Sequence, residues 1–476
     1  MNWETVIGLE VHVELSTKSK IFCSCTTEFG GDPNTHCCPV CTGMPGALPV
    51  LNQQVVAYAM KAGIALNCDI TRYTKFDRKN YFYPDLPKAY QVSQLYLPIC
   101  VNGSVPIETS AGHKDIRIHE IHMEEDAGKL IHDAWADATK TDYNRCGVPL
   151  IEIVSEPDFR SSEEVLAYLE KLKSTLEYLD VSDCKMQEGS MRADINLSVR
   201  EAGASEMGTR TEMKNMNSFK AIGRAIEYEA KRQIEVITEG GRIVQETRRW
   251  DENKDASFAM RSKENAQDYR YFPEPDLPPA EIDDAWYDQV KASLPEMAEA
   301  KRARYVADYA LPEYDAGMIT GQKALADFFE KAVAGGSAPK EVANWIMGDL
   351  LRILKDKGIE ARDMAMTPAR LGRIIALIDE GKLNRNKGRE VFEALFDSDE
   401  DIDAYVKEHD LIQISDEGAI RTSIAAILAE NQKTVDEYKS GKTKVFGFLV
   451  GQTMKALKGK ADPSVINSIL KELLDN

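Results

Sequence analysis

The segment Val6-Ile7-Gly8-Leu9-Glu10-Val11-His12-Val13-Glu14-Leu15 alternates polar and apolar residues from Leu9 to its end. A period of two belongs to a strand with one buried face, because successive side chains of a strand point to opposite sides. Leu9, Val11, Val13 and Leu15 are therefore assigned to a core, and Glu10, His12 and Glu14 to the opposite face. The stretch 191–200 repeats the pattern, with Arg192, Asp194, Asn196 and Ser198 on its polar side. Leu150-Ile151-Glu152-Ile153-Val154 carries one acid in an apolar run, and Arg210-Thr211-Glu212-Met213-Lys214 sets Glu212 beside Lys214. His122-Met123-Glu124-Glu125-Asp126-Ala127-Gly128-Lys129 adds three consecutive acids behind a histidine. One polar strand face is ordinarily the solvated side of an antiparallel sheet, and that reading stands as the alternative. Several such faces rich in acids ask for more, since clustered carboxylates repel one another unless a hard cation neutralises them. Oxygen donors with a single histidine favour magnesium or manganese over zinc. Together the strands suggest a magnesium–nucleotide site.

A chain of 476 residues is long enough for two to four domains. No apolar run approaches the roughly twenty residues that a membrane helix needs. The N-terminus enters its first strand at once, with no signal or transit peptide, so the expected location is the cytoplasm, most simply a bacterial one. A net charge of −19 argues against unspecific nucleic-acid binding but leaves room for a local basic surface.

The nine cysteines are unevenly spread. Cys23-Ser24-Cys25 is followed by Cys37-Cys38-Pro39-Val40-Cys41, while Cys68, Cys100, Cys146 and Cys184 are scattered. A large chain without a secretion signal is a poor candidate for a disulfide framework. Two close thiol pairs about a dozen residues apart have structural-zinc spacing. Cys23, Cys25, Cys38 and Cys41 form the most economical quartet, with Cys37 or His36 to spare; a loop of buried free cysteines is the alternative.

Alternating runs and turn signals dominate up to about residue 290, as in a strand-rich α+β domain. Ser161-Ser162-Glu163-Glu164 opens a helix over 162–179, and 217–237 reads as a second. Phe272-Pro273-Glu274-Pro275-Asp276-Leu277-Pro278-Pro279 is extended and closes the domain. The chain then turns helical. Thr367-Pro368 reads as a helix cap and first residue, Gly381 as the residue past its end, and Asp462-Pro463 as the start of the last helix. An acidic loop, Asp397 to Asp403, precedes the tail. The expected division is 1–292, carrying the cysteine loop at about 21–45, then 293–405 and 406–476.

The tail carries six lysines and no acid between Lys439 and Lys460, and Lys382, Arg385, Lys387 and Arg389 form a smaller patch. Either could neutralise phosphates or simply be solvated. Ser440-Gly441-Lys442-Thr443 is not a phosphate-binding loop, because the first glycine of that motif would fall at Asp436 and no strand precedes it. His119-Glu120-Ile121-His122 is one residue short of the zinc-protease motif and sits in a strand pattern. There is no GxSxG elbow to support a serine hydrolase.

Several long stretches resemble the B subunit of the bacterial tRNA-dependent amidotransferases, the GatB family. They are Ile7-Gly8-Leu9-Glu10-Val11-His12, Asp77 to Lys88, His122 to Lys129, Pro149 to Asp158, Asp268 to Asp276, and Gly447-Phe448-Leu449-Val450-Gly451-Gln452. The resemblance implies an α+β catalytic cradle related to glutamine synthetase with a mainly antiparallel sheet, a helical domain, and a small helical tail that contacts tRNA. It implies ATP-dependent phosphorylation of the side-chain carboxylate of misacylated Glu-tRNA(Gln) or Asp-tRNA(Asn), then displacement of phosphate by ammonia. The ammonia would come from a partner amidase subunit, with a small third subunit clamping the heterotrimer. By the same carry-over Glu10, His12, Glu124, Glu125, Glu152, Asp194 and Glu212 are the expected magnesium ligands. Glu10, Glu124, Glu125 and Arg192 would be catalytic, and Lys79, Ser190 and Asp194 would contact the nucleotide. Arg192 has a structural ion pair as its alternative role. On a regular strand Glu124 and Glu125 point to opposite faces, so both can bind only across a bulge or a strand end. The cysteine quartet matches the zinc-bearing version of the family, in which zinc is structural. Two other readings are a tRNA-binding scaffold without chemistry of its own and a free-standing ligase acting on a small carboxylate.

Overall fold

The computed structural model describes residues 2–133, 135–262, 269–412, 417–457 and 460–475. Asp268 of the quoted motifs and Lys458 of the basic tail lie outside them. The chain divides into two compact units, Met1–Met297 and Ala298–Asn476.

The first unit is built on a nine-stranded sheet. Its centre runs in the order Thr211–Lys214, Met191–Glu201, Trp3–Glu14, Pro149–Ser155, Gly112–Glu125, each strand antiparallel to the next. The only parallel pair among the described residues joins Thr211–Lys214 to Glu246–Asp251. The expectation of a mainly antiparallel sheet in an α+β unit is met. Alternation sorts the side chains as the sequence predicts: Leu9, Val11 and Val13 are buried to within 1 % and join Ile151, Ile153, Ile195 and Leu197 in one core. Val165, Leu169, Leu172 and Leu176 of the helix Ser162–Tyr178 and Ile222 and Ile226 of the helix Phe219–Thr238 complete it. Ser161 and Ser218 cap these helices by accepting hydrogen bonds from Glu164 N and Ala221 N, satisfying backbone donors that the first turn leaves free. Burying the apolar faces of strands and helices against each other leaves the Glu10 face of the sheet for chemistry.

A smaller three-stranded sheet contains Asp77–Asn80 between Tyr90–Ser93 and Phe272–Pro273. The proline-rich segment therefore does not end the domain. Ala280–Glu281 pairs with Tyr73–Thr74, Val290 is in the core, and Leu294 and Met297 pack against it.

The second unit is helical. Thr367 caps the helix Pro368–Asp379, and Gly381 adopts φ 69° just past its end, as expected. Pro463–Asp475 is the last helix. Asp397 to Asp403 is not a loop throughout: Asp401 caps the helix Ile402–Glu408, its side chain accepting from Ala404 N. Tyr305 to Val406 and Ile420 to Leu474 form two separate apolar clusters within this unit. Lys439 to Lys460 spans the end of one helix, a short turn and the helix Phe446–Ala456. No helix among the described residues is long and apolar enough to cross a membrane.

Candidate active site

Strand register decides which acids meet. Glu10 lies opposite Asp194, and His12 lies opposite Glu152 on one side and Arg192 on the other. Glu152 faces His122, and Asn196 faces Glu212. The polar faces of five adjacent strands thereby merge into two donor groups. His12, Glu124 and Glu152 form one, and Glu10, Asp194 and Glu212 the other, with donor atoms in each within 4.8 Å of one another. His12 Nε2 stands 3.9 Å from Asp194 Oδ2, so the groups adjoin. Six-coordinate magnesium at about 2.1 Å separates its ligand oxygens by about 3–4 Å. The donors need to close only slightly to fit.

Neighbours hold these groups in place. His12 Nδ1 lies 3.2 Å from Glu124 Oε1, and His122 Nε2 lies 3.0 Å from Glu152 Oε2. Gln91 donates to Glu124 at 3.0 Å, Asn196 to Glu10 at 3.0 Å, and Thr247 to Glu212 at 2.8 Å. Lys214 pairs with Glu212 at 2.9 Å and also with Asp194. Burial and the carboxylates of Glu152 and Asp194 raise the pKa of Glu10. Burial alone would lower His12, but its bond to Glu124 and the charge of Glu152 outweigh it, and the net shift is upward. His122 is raised well above its ordinary value in the same way, by Glu120, Glu124 and Glu152. Burial would raise Glu124, yet the two imidazoles hold it well below the usual carboxylate range. Lys79 also keeps its proton: burial opposes it, and the carboxylates of Glu124 and Glu152 help to overcome that. Without a metal ion, the surrounding acids favour the protonated form of both imidazoles.

Two expected site residues, Glu125 and Ser190, fall elsewhere, and a third, Arg192, stays on the face but is ion-paired. Glu125 ends its strand without a bulge and does not join Glu124. Its carboxylate accepts from Val92 N at 2.9 Å and pairs with Lys88. Burial beside Asp126 pushes Glu14 up to about 8, and Arg192, whose Nη2 donates to Asp126 at 2.9 Å, moderates that shift. Arg192 thus has the ion pair given as its alternative, while still lining a cavity of about 630 Å³ with Glu14, Asp194 and Lys214. The Ser190 hydroxyl bonds Asp183 and accepts from Lys185 N at 2.9 Å, which makes it part of a turn.

The cysteine quartet does assemble. Cys23, Cys25, Cys38 and Cys41 bring their sulfurs within 4.8 Å of one another, with Cys38 and Cys41 3.9 Å apart. Tetrahedral zinc with bonds of about 2.3 Å spaces its sulfurs by about 3.8 Å. Cys23 hydrogen-bonds Cys41, Cys38 N donates to Cys41 at 3.2 Å, and the Cys41 thiol is pulled down to about 4. The fully buried Lys20 places its Nζ 3.6 Å from the same sulfur.

Comparison with known proteins decides the family. The GatB/GatE catalytic domain matches residues 5–288 and the GatB domain matches 327–474. A protein of Lachnoclostridium phytofermentans, named as the B subunit of aspartyl/glutamyl-tRNA(Asn/Gln) amidotransferase, is 66 % identical over 99 % of both chains. A protein of the same name from Agathobacter rectalis is 60 % identical over 99 % of this chain and all of its own. The chain belongs to the GatB family.

Within this GatB chain the sequence reading missed His122, Gln91 and Lys20. His122 had a usable signal, since it alternates with Glu120 and Glu124 on one strand face. Lys20 had none: a single lysine in a loop carries no periodicity and reads as solvated.

The titration pattern predicts a pH dependence. His12 and His122 bind protons more tightly folded than unfolded, so the stability they contribute is complete below about pH 6.5 and is lost as pH rises through their raised values. Glu10, raised by burial, acts in the same direction. The metal-free chain should therefore melt at a lower temperature at pH 8.5 than at pH 6.5. Magnesium should stabilise it more at pH 8.5, because binding releases protons. Equal magnesium-induced shifts in Tm at both pH values would disprove the linkage.

Proposed function

We propose that this chain is the activating subunit of a tRNA-dependent amidotransferase. A carboxylate is a poor acyl electrophile, so it must first be activated. An oxygen of the Glu or Asp side chain of misacylated Glu-tRNA(Gln) or Asp-tRNA(Asn) attacks the γ-phosphorus of ATP, and the bond to the β-phosphate oxygen breaks, releasing ADP. Ammonia then attacks the acyl carbon, phosphate leaves, and the amide remains. The observation that carries this reading is the pair of adjoining donor clusters on five contiguous strands. Magnesium held by His12, Glu124 and Glu152 and by Glu10, Asp194 and Glu212 would offset the charge on the phosphates. Lys79 and Lys214 add fixed positive charge, and the buried imidazoles orient Glu124 and Glu152. The relatives are named as B subunits, which supports partner subunits. On this reading the partners are an amidase that releases ammonia from glutamine and a small clamp, together a heterotrimer. The Cys23–Cys41 quartet would hold a structural zinc, because four protein ligands leave no open position for chemistry.

The test is ADP formation by the chain co-expressed with its partners, comparing misacylated Glu-tRNA(Gln) with uncharged tRNA. ADP release should require the charged tRNA and collapse in Glu10→Gln. Release that ignores charging, or survives in that variant, would leave the chain as a tRNA-binding scaffold.

A further inference from the structure

Lys20 is fully buried, an unusual place for an ammonium, which is almost never taken out of water without a partner. Its Nζ donates to His36 O at 2.7 Å and reaches Cys41 Sγ at 3.6 Å. Among the described residues it makes no ion pair with a carboxylate. Glu125 lines the same cavity but is paired with Lys88. A carbonyl oxygen accepts a hydrogen bond without balancing a charge. The anion that answers this buried cation is therefore sulfur.

Lys20 also joins the two halves of the cysteine quartet. Its backbone N donates to Cys25 O at 3.0 Å, which ties it to the segment carrying Cys23 and Cys25. Its side chain crosses to His36 and Cys41 beside the second pair. Cys41 is the buried member of the four, and its sulfur accepts from Cys38 N at 3.2 Å as well as from Lys20. Cys37 stays apart, its thiol donating to Asn34 O at 3.3 Å. Four thiolates around a divalent zinc leave two negative charges in excess. An ammonium bonded to one of the sulfurs offsets one of them, and charge-assisted hydrogen bonds are the stronger kind.

We propose that Lys20 is the charge partner of the zinc–cysteine centre, a positioning residue that bonds the Cys41 sulfur, staples the two cysteine pairs together and slows loss of the metal. This rests on the structural zinc proposed above and adds to it the residue that sets its charge. Outer partners of metal ligands orient the ligand and tune its basicity, and their removal weakens the site without removing a ligand.

Zinc release into the chelator pyridylazoresorcinol is followed on the chain purified with its partner subunits. Lys20→Met keeps the length of the stem and drops the charge; it should release zinc faster by about tenfold or more, the lower end of what an outer partner contributes. Asn52→Ala is the control, because Asn52 donates to Ser19 O at 3.1 Å and braces the same loop without touching sulfur. A smaller increase in Lys20→Met, or an equal one in Asn52→Ala, would overturn the role of Lys20. In cobalt-substituted chains the sulfur-to-cobalt charge-transfer band should move to longer wavelength in Lys20→Met, since a sulfur lone pair freed from an ammonium gives up its electron more easily. It should stay in place in Asn52→Ala. A band unmoved in Lys20→Met would also refute the role. If Lys20→Met does not fold, the parent complex decides. Lys20 should resist acetic anhydride while zinc is bound and become acetylated once the metal is stripped, and equal modification in both states would refute the role. A parent complex without zinc would instead remove the zinc reading, and the role of Lys20 with it.

Discussion

Glu124→Gln should lower ADP release driven by charged tRNA by about 10²–10³-fold or more, the scale on which active sites lose a preorganised charged group. Glu124 is almost fully buried and lies against both His12 and His122, so it links the two imidazoles of the face. The amide keeps the shape and can still meet Gln91, but it cannot offer a second anionic oxygen to a cation. Its loss also removes one of the carboxylates that raise His12 and His122, leaving Glu152 and Glu120, so the variant should lose part of the pH dependence of the metal-free chain. Affinity for tRNA should be retained, because Glu124 is buried. ADP release within tenfold of the parent complex would take the chemistry away from these strands.

Cys38→Ser is expected to abolish zinc binding and to destabilise the first unit. A site kept at 1,000 times its Kd contributes about 4.1 kcal/mol, which is roughly 7 °C in Tm for a unit of this size at about 2.1 cal/mol/K per residue. The loop is tied to the rest of the unit by Ile21 N to Gly147 O at 3.0 Å and by Asn52 N to Ile21 O at 2.8 Å, so its loosening would be felt beyond the cysteines. Elemental analysis should find one zinc per parent chain and none in the variant. A parent chain without zinc, or a variant with an unchanged Tm, would return the quartet to ordinary buried thiols.

Local pattern carried much of this structure. Alternation placed Leu9 and Val11 inside and Glu10 and His12 outside because a strand has only two faces. The caps at Ser161 and Thr367 were visible because helix starts leave backbone donors that short polar side chains satisfy. Register was not visible. Nothing within the strand containing Glu152 says that it lies opposite His12 or that His122 follows on its far side, because pairing is decided by the packing of the whole sheet. The resemblance could nominate Glu125 but could not turn its side chain, and Lys88 with the Val92 amide holds it elsewhere. Arg192 showed its two possible roles from the outset, and Asp126, more than sixty positions away, supplies the ion-pair partner.

The run Glu124-Glu125-Asp126 looks like one acidic motif but has three destinations. Glu124 joins His12 and Glu152 in a group that could hold a cation, Glu125 pairs with Lys88 beside Val92, and Asp126 meets Arg192 and Arg145. A block substitution of the triplet would register as one lesion while disabling three unrelated devices. The same holds for any score averaged over neighbouring positions. Variants in this stretch have to be interpreted one residue at a time, and two adjacent changes with equal severity would carry no implication of a shared cause.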